Sequence, residues 1–197
     1  FYGLRRSELL GLRWSSIDFQ TGWLEISTTV VKEMHGSKLV SVVRDNTTKT
    51  DYSERRLPLC QYSYQYLWNL RQRQLAQAKM CGEMYNREYM DFVCVDTMGN
   101  LLKPDFITGK FPKLLEKYQL RKIRFHDLRH SCATIMLYLG YTLKDIQTWL
   151  GHSNYNFTAD TYIHSAPSSH QAMASSLAAH LPSVQPTLFP YVKKADR

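Results

Sequence analysis

The sequence predicts an α+β fold, mainly helical, with one small antiparallel three-stranded sheet. Three observations point to it. Apolar residues recur at helical spacing in several separate stretches, and two-residue alternation is confined to the region between residues 24 and 59. Apolar residues make up 44% of 197, enough to build a packed core in a chain of single-domain length.

In chain order, residues 4–14 read as a helix with Leu4, Leu9 and Leu12 as its stripe and Glu8 and Arg13 outside it. Leu24, Ile26, Thr28 and Val30 then alternate with Glu25, Ser27 and Thr29, the period of a strand. A second β-rich run, Leu39 to Val43, follows the turn-like Gly36-Ser37. A third, Arg56 to Leu59, follows a polar stretch from Asp45 to Glu54. The three are expected to form a meander with one long polar tip. Pro58, which has no amide hydrogen, places the third strand at an edge or a strand end.

Helical spacing returns from Gln61 to Met80, with Leu67, Leu70, Leu75 and Ala78. Phe92 to Val95 is a short strand candidate closed by Gly99-Asn100, and residues 109–118 form a helix with Leu114, Leu115 and Tyr118 on one side. His126 to Leu139 is an amphipathic helix with an apolar face of Leu128, Cys132, Ile135 and Leu139, ended by Gly140. Thr142 N-caps the next helix, Asp145 completes a capping box, and Gly151 stops it. A short helix holds Tyr162, and a final one runs from Ser168 to Leu181. The tail from Pro182 reads as extended.

Composition excludes several classes. The mean hydropathy of −0.39 and the lack of any run of about 18 apolar residues exclude a membrane-spanning helix. Cys60, Cys81, Cys94 and Cys132 form no C-x-x-C pair, which argues against a zinc knuckle or a disulfide framework and for a reducing cytosol. The chain opens on Phe1-Tyr2-Gly3 with no leader pattern, so its start is expected to fall inside a longer protein. Net charge is +8, which fits a polyanion partner without requiring one. Residues 103–130 hold eight Lys and Arg against three Asp and Glu, a run that suits either contacts to a phosphate backbone or a solvated helix face.

The densest chemical motif is His126-Asp127-Leu128-Arg129-His130. On a helix, residues three and four apart are neighbours, so His126, Arg129 and His130 share one face. A guanidinium fork and imidazole donors on one stripe suit a phosphate. Two histidines four apart also suit a metal, but Asp127 stands where zinc peptidases place a general-base Glu, and no third ligand is evident. A surface helix with solvated His and Arg is the plainer alternative.

Further pieces stand in order around this motif: Gly3-Leu4-Arg5-Arg6-Ser7-Glu8-Leu9, Thr48-Lys49-Thr50, Leu150-Gly151-His152-Ser153, and Thr161-Tyr162-Ile163-His164, with Tyr162 ten residues beyond His152. In this order and spacing, from Gly3 to about Leu181, the chain resembles the catalytic domain of the tyrosine recombinases, the phage-type integrase family. It looks most like the integrases of conjugative transposons.

The resemblance implies a site of Arg5, Lys49, His126, Arg129, His152 and Tyr162. Arg5 is preferred to Arg6 because the family places an acidic residue three positions on, where Glu8 stands. Glu8 is expected to orient Arg5 or its neighbours, and Arg6 and His130 to support the site. Read singly, Arg5 could be a plain helix-surface arginine, Lys49 a solvated loop charge, His152 a helix cap and Tyr162 core packing.

The implied reaction is site-specific recombination of DNA. Tyr162 attacks a phosphodiester, forms a 3′-phosphotyrosyl link and releases a 5′-hydroxyl; the link conserves the bond energy, so no ATP, cofactor or metal is expected. Arg5 and Arg129 would clamp non-bridging oxygens, with a further hydrogen bond from His152. Lys49 would protonate the leaving oxygen, and His126 would accept the proton of Tyr162 or serve as a positioning group. Expected partners are double-stranded DNA, further copies of the chain (dimer to tetramer) and an accessory excision factor, in the cytoplasm of a bacterium at the nucleoid. Residues 1–181 would form the N-terminally truncated catalytic domain, and residues 182–197 a tail that docks on a neighbouring protomer or folds back on its own. Type IB topoisomerase-like cleavage and resealing of one strand and a non-catalytic DNA-binding module are the competing readings.

Overall fold

The fold is given by a computed structural model that describes residues 1–45 and 55–151. Lys49, His152 and Tyr162 lie outside the described residues, as do the two expected C-terminal helices and the tail. The described part is α+β, with helices around a three-stranded sheet and a separate two-stranded hairpin.

The first helix, α1, is Arg6–Gly11, shorter than the expected 4–14. The Glu8 carboxylate accepts the backbone N–H of Arg5, which fixes Arg5 as an extended cap residue (φ −64°, ψ 151°). At the other end Leu12 is already extended, and the chain bridges from Arg13 to Phe92. Glu8 is not outside the buried face: it is 2% exposed. Gly11 lies directly on the next layer, where a Cβ would stand 2.3 Å from the Thr28 carbonyl oxygen.

The strands depart from the expected meander. Ile17–Asp18 (β1) pairs with Trp23–Ile26 (β2), and β2 pairs with Arg55–Pro58 (β5), giving the order β1-β2-β5. Thr28–His35 (β3) and Lys38–Asp45 (β4) form their own hairpin, with Gly36 at φ 62° as first turn residue, a place that favours glycine. Leu24, Ile26, Thr28 and Val30 are all buried, so the alternation runs unbroken. Only the hydrogen-bonding partner changes, at Ser27, from β5 to β4. Alternation reports which face is covered, and it is silent about which neighbour the backbone pairs with. Pro58 ends β5, an edge strand, as its missing donor requires.

Helix α2, Gln61–Cys81, matches its expected span. Its Gln74 accepts from Trp14 Nε1 at 2.8 Å and donates to the Val93 carbonyl at 2.7 Å, tying the helix to the core of Leu12, Trp14, Ile17, Leu24, Ile26, Leu57 and Val93. The expected strand at Phe92 to Val95 is reduced to isolated bridges, Arg13 to Phe92 and Val95 to Leu101, because neither partner segment stays extended long enough for a ladder. Phe92 instead packs with Leu10 and Val30.

Helix α3, Pro104–Lys117, starts before the expected residue 109, with Pro104 in the first turn where its missing N–H costs nothing. Leu115 is buried, whereas Leu114 and Tyr118 are exposed, so the expected apolar side is one residue wide. Helix α4, Asp127–Tyr138, ends in a Schellman motif: Tyr141 N–H donates to the Met136 carbonyl and Gly140 N–H to that of Leu137, with Gly140 at φ 87°. Its inward stripe is Arg129 and Ala133, not the expected apolar set; Leu128, Ile135 and Leu139 are exposed and Cys132 is half-buried. The inward face is decided by the hydrogen-bond partners awaiting Arg129. Helix α5, Leu143–Leu150, has the expected capping box of Thr142 and Asp145, and Gly151 ends it at φ 69°.

Candidate active site

The site is built around the C-terminal end of α5. The last carbonyls of a helix have no partner inside it and carry its negative pole. Three arginines from three elements take up three consecutive ones. Arg55 Nε donates to the Trp149 carbonyl at 2.8 Å, Arg129 Nη2 to Leu150 at 2.6 Å, and Arg5 Nη2 to Gly151 at 2.7 Å.

The same arginines surround one carboxylate. Glu8 Oε1 accepts from Arg5 Nη1 at 2.6 Å and from Arg55 Nη1 at 3.2 Å. Its Oε2 accepts from Arg55 Nη2 at 3.0 Å and from the Arg5 backbone N–H at 2.8 Å, and lies 3.9 Å from Arg129 Nη1. Burial pushes the Glu8 carboxyl up, but the hydrogen bonds and charge of Arg55, then the charge of Arg5, outweigh it and hold the group below the ordinary glutamate range. Glu8 therefore stays ionised and positions Arg5, as the sequence suggested.

Arg129 is 3% exposed and also donates from Nη1 to the Gly3 carbonyl at 2.7 Å. Gly3 is at φ 58°, and a Cβ there would stand 2.5 Å from Leu150 Cδ2, so glycine permits this closeness. Burial, then the charge of Arg5, lowers Arg129 to about 10, which leaves it protonated at neutral pH. Arg5 is 35% exposed and is the accessible member of the group. With three guanidinium groups and one carboxylate, the centre holds a net positive charge suited to a phosphate.

His126 stands at the N-cap position of α4 without a side-chain capping bond, and its ring meets that of His130 edge to face, with centroids 5.0 Å apart. Burial and the charges of His130, Arg129 and Arg124 lower its pKa below the ordinary histidine value, favouring the neutral form that accepts a proton. Arg129 is buried while His126 is exposed and His130 half-buried, so the expected shared stripe is divided between depths. Among the described residues no group of three His, Cys, Asp or Glu comes together to hold a metal. Beside His126 lies an open cleft of about 730 Å³ lined in part by Arg6, Lys122 and Arg124. Lys103, Lys110, Lys113, Lys117, Arg121, Lys122 and Arg124 are all exposed. No helix among the described residues is long and apolar enough to cross a membrane.

Arg55 was missed by sequence reasoning. Its signal was present: in Arg55-Arg56-Leu57-Pro58, period-two alternation puts Arg55 on the same face as the buried Leu57. The strand was read from Arg56, and that register hid it.

Residues 2–169 match the model of the phage integrase family. The tyrosine recombinase XerC-like protein of Caldanaerobacter subterraneus is 30% identical over 171 residues, covering 84% of this chain and 43% of that protein. The ICEBs1 integrase of Bacillus subtilis is 27% identical over 175 residues, covering 89% of this chain and 45% of its own. The chain thus spans less than half the length of these curated relatives. Among solved structures, the Tn1549 transposon integrase in complex with transposon right end DNA superposes with a TM-score of 0.70 at 26% identity, over 90% of this chain and 56% of that one. The XerA recombinase shares the fold, with a TM-score of 0.62 at 22% identity, over 93% of this chain and 56% of its own. A match this extensive in sequence, on the same fold, shows that the chain belongs to the phage integrase family.

Proposed function

We propose that this chain is the catalytic part of a site-specific DNA recombinase that cuts and rejoins double-stranded DNA through a 3′-phosphotyrosyl intermediate, in the excision and integration of a mobile element. The observation that carries the reading is the convergence of Arg5 and Arg129 on the end of α5, immediately before His152. That a similar transposon integrase was solved on transposon end DNA supports the substrate.

In this mechanism the scissile phosphate sits against Arg5, whose exposed guanidinium meets the non-bridging oxygens. Arg129 holds its charge fixed beneath, tied to Gly3 and Leu150. A pentavalent transition state gathers negative charge on these oxygens, and a preorganised cationic centre stabilises it more than the ground state. The Tyr162 oxygen attacks phosphorus as its proton passes to His126, which is neutral and therefore able to accept it. The bond to the 5′-oxygen breaks, and Lys49 supplies that oxygen with a proton. Rejoining runs the same steps in reverse from the 5′-hydroxyl of the partner strand. His152 adds a hydrogen bond to the phosphate. The exposed lysines and arginines between residues 103 and 124 grip the surrounding backbone. Residues 1–181 form the catalytic unit, and residues 182–197 dock on a neighbouring copy in a dimer-to-tetramer assembly on DNA. An accessory excision factor joins that assembly in the bacterial cytoplasm.

The test is a nicked attachment site labelled 5′ to the scissile phosphate. A covalent protein–DNA adduct is expected, and Tyr162→Phe should abolish it with DNA binding unchanged. An adduct that persists in Tyr162→Phe names another nucleophile. An adduct on the nicked site together with relaxation of a separate supercoiled plasmid and no strand exchange supports topoisomerase-like chemistry, and binding with no adduct supports a recognition module.

A further inference from the structure

Arg55 sits between the two halves of the arginine centre without belonging to the expected catalytic set. It is 8% exposed and reaches in two directions at once. One edge of its fork grips both Glu8 oxygens, at 3.2 and 3.0 Å, and its Nε holds the Trp149 carbonyl at 2.8 Å. Glu8 in turn holds Arg5 by both side chain and backbone. The Trp149 carbonyl belongs to the last turn of α5, the helix that ends at Gly151 and leads into His152. One guanidinium therefore ties the carboxylate that aims Arg5 to the helix end that carries the next catalytic position.

We infer that Arg55 is a positioning residue for phosphate activation, holding Glu8 and the C-terminal turn of α5 in one rigid unit so that Arg5 is presented to the phosphate in a fixed orientation. The inference rests on the functional reading above and adds a residue to its machinery. Three features of the geometry support it. A planar fork with donors on two edges can bridge a carboxylate and a carbonyl, whereas an ammonium is a single point. Glu8 is shared between two guanidinium groups, so loss of Arg55 leaves Arg5 as its sole hydrogen-bonded side-chain partner among those described. Arg55 opens β5 and is paired with Ile26 of β2, so its backbone is anchored in the three-stranded sheet rather than in the helices it connects.

The charged groups facing Glu8 are Arg5 at the N-cap of α1, Arg55 from β5 and Arg129 from α4. With Arg55 removed, burial acts against the Glu8 charge with less opposition, so the carboxyl protonates at higher pH and releases Arg5. The experiment measures the single-turnover rate of adduct formation for wild type, Arg55→Lys, Arg55→Gln, Glu8→Gln and the Glu8→Gln/Arg55→Gln double variant, with DNA binding followed in parallel. Arg55→Gln should slow adduct formation about 100-fold and Arg55→Lys about 10-fold, in keeping with the cost of small misplacements, while binding stays within about twofold. The ratio of the Arg55→Gln rate to the wild-type rate should fall as pH drops from about 8 to 6, and the double variant should be no slower than Glu8→Gln alone. Rates equal to wild type, a ratio flat with pH, or additive losses in the double variant would overturn the inference. Should Arg55→Gln fail to fold, Arg55→Lys alone decides between a slowed and an unchanged rate. A readout free of chemistry separates this inference from the functional reading: the carbon-13 resonance of the Glu8 carboxyl in the full chain. It should titrate at higher pH in an Arg55 variant than in wild type, and an unmoved titration counts against Arg55 whether or not the chain cuts DNA. A moved titration in a chain that forms no adduct supports the coupling of Arg55 to Glu8 and rejects the functional reading alone.

Discussion

The arginine centre and the β3–β4 hairpin are both held by arginine–carboxylate pairs, yet the pairs do different things. In the centre, the Glu8 side chain is 2% exposed and the side chain of its partner Arg55 5%. On the hairpin, Glu33 is 35% exposed and Arg44 45%, at an N···O distance of 2.5 Å. The hairpin pair is the shorter of the two, but water can replace either partner. In the centre water does not take the place of a lost partner of Glu8, Arg55 or Arg129, because these three groups were taken out of water in exchange for one another. Burial rather than distance is therefore expected to rank these pairs.

The strongest way to break this contrast is Glu8→Ala. It strands buried guanidinium charge and should cost about 3–5 kcal/mol, read as a lower urea midpoint. A loss below about 1 kcal/mol would mean that water reaches the centre as freely as the hairpin. Next comes Gly11→Ala, which drives a methyl group into the Thr28 carbonyl oxygen at 2.3 Å and should cost about 1–3 kcal/mol. Thr142→Ala removes the cap that accepts the Asp145 N–H at 3.1 Å, and should cost about 1 kcal/mol. Glu33→Ala, at the bottom of the scale, should leave the urea midpoint where it is.

Acid sharpens the same contrast. The folded-state pKa of Glu8 is lowered, so its contribution to stability is complete above the unfolded value, near 4.3, and is lost as pH falls through the folded value. Urea midpoints recorded from about pH 6 down to pH 3 should therefore fall less steeply in Glu8→Gln than in wild type. Parallel acid limbs would remove Glu8 from the account.

The sequence made some of this legible and hid the rest for identifiable reasons. Helix α2 and the caps at Gly140, Thr142 and Gly151 follow from local chemistry, and all appear where that chemistry places them. The pairing of β5 with β2 is a long-range choice that alternation does not encode. The inward face of α4 was misread because apolar residues were assumed to point inward; the interior offered Arg129 the carbonyls of Gly3 and Leu150, and the leucines were turned out. The resemblance to the family's motifs singles out Arg5, Glu8, His126 and Arg129, and the structure brings Arg5, Glu8 and Arg129 together. Arg55 carried no motif, and only the parity of its strand could have marked it as buried. Lys49, His152 and Tyr162 stand on sequence alone.

The change of partner at Ser27 has a consequence for how this domain can vary. Because, among the described residues, β3 and β4 bond only to each other within the ladders, from Thr28 with Asp45 at the base to His35 with Lys38 at the tip, residues can be added in matched pairs beside Gly36 without shifting any register below. The exposed Met34 and Leu39 near the tip meet no requirement of the core. The hairpin is in effect a telescoping arm: its reach can be reset by insertion or deletion while the sheet that carries Arg55 keeps its alignment.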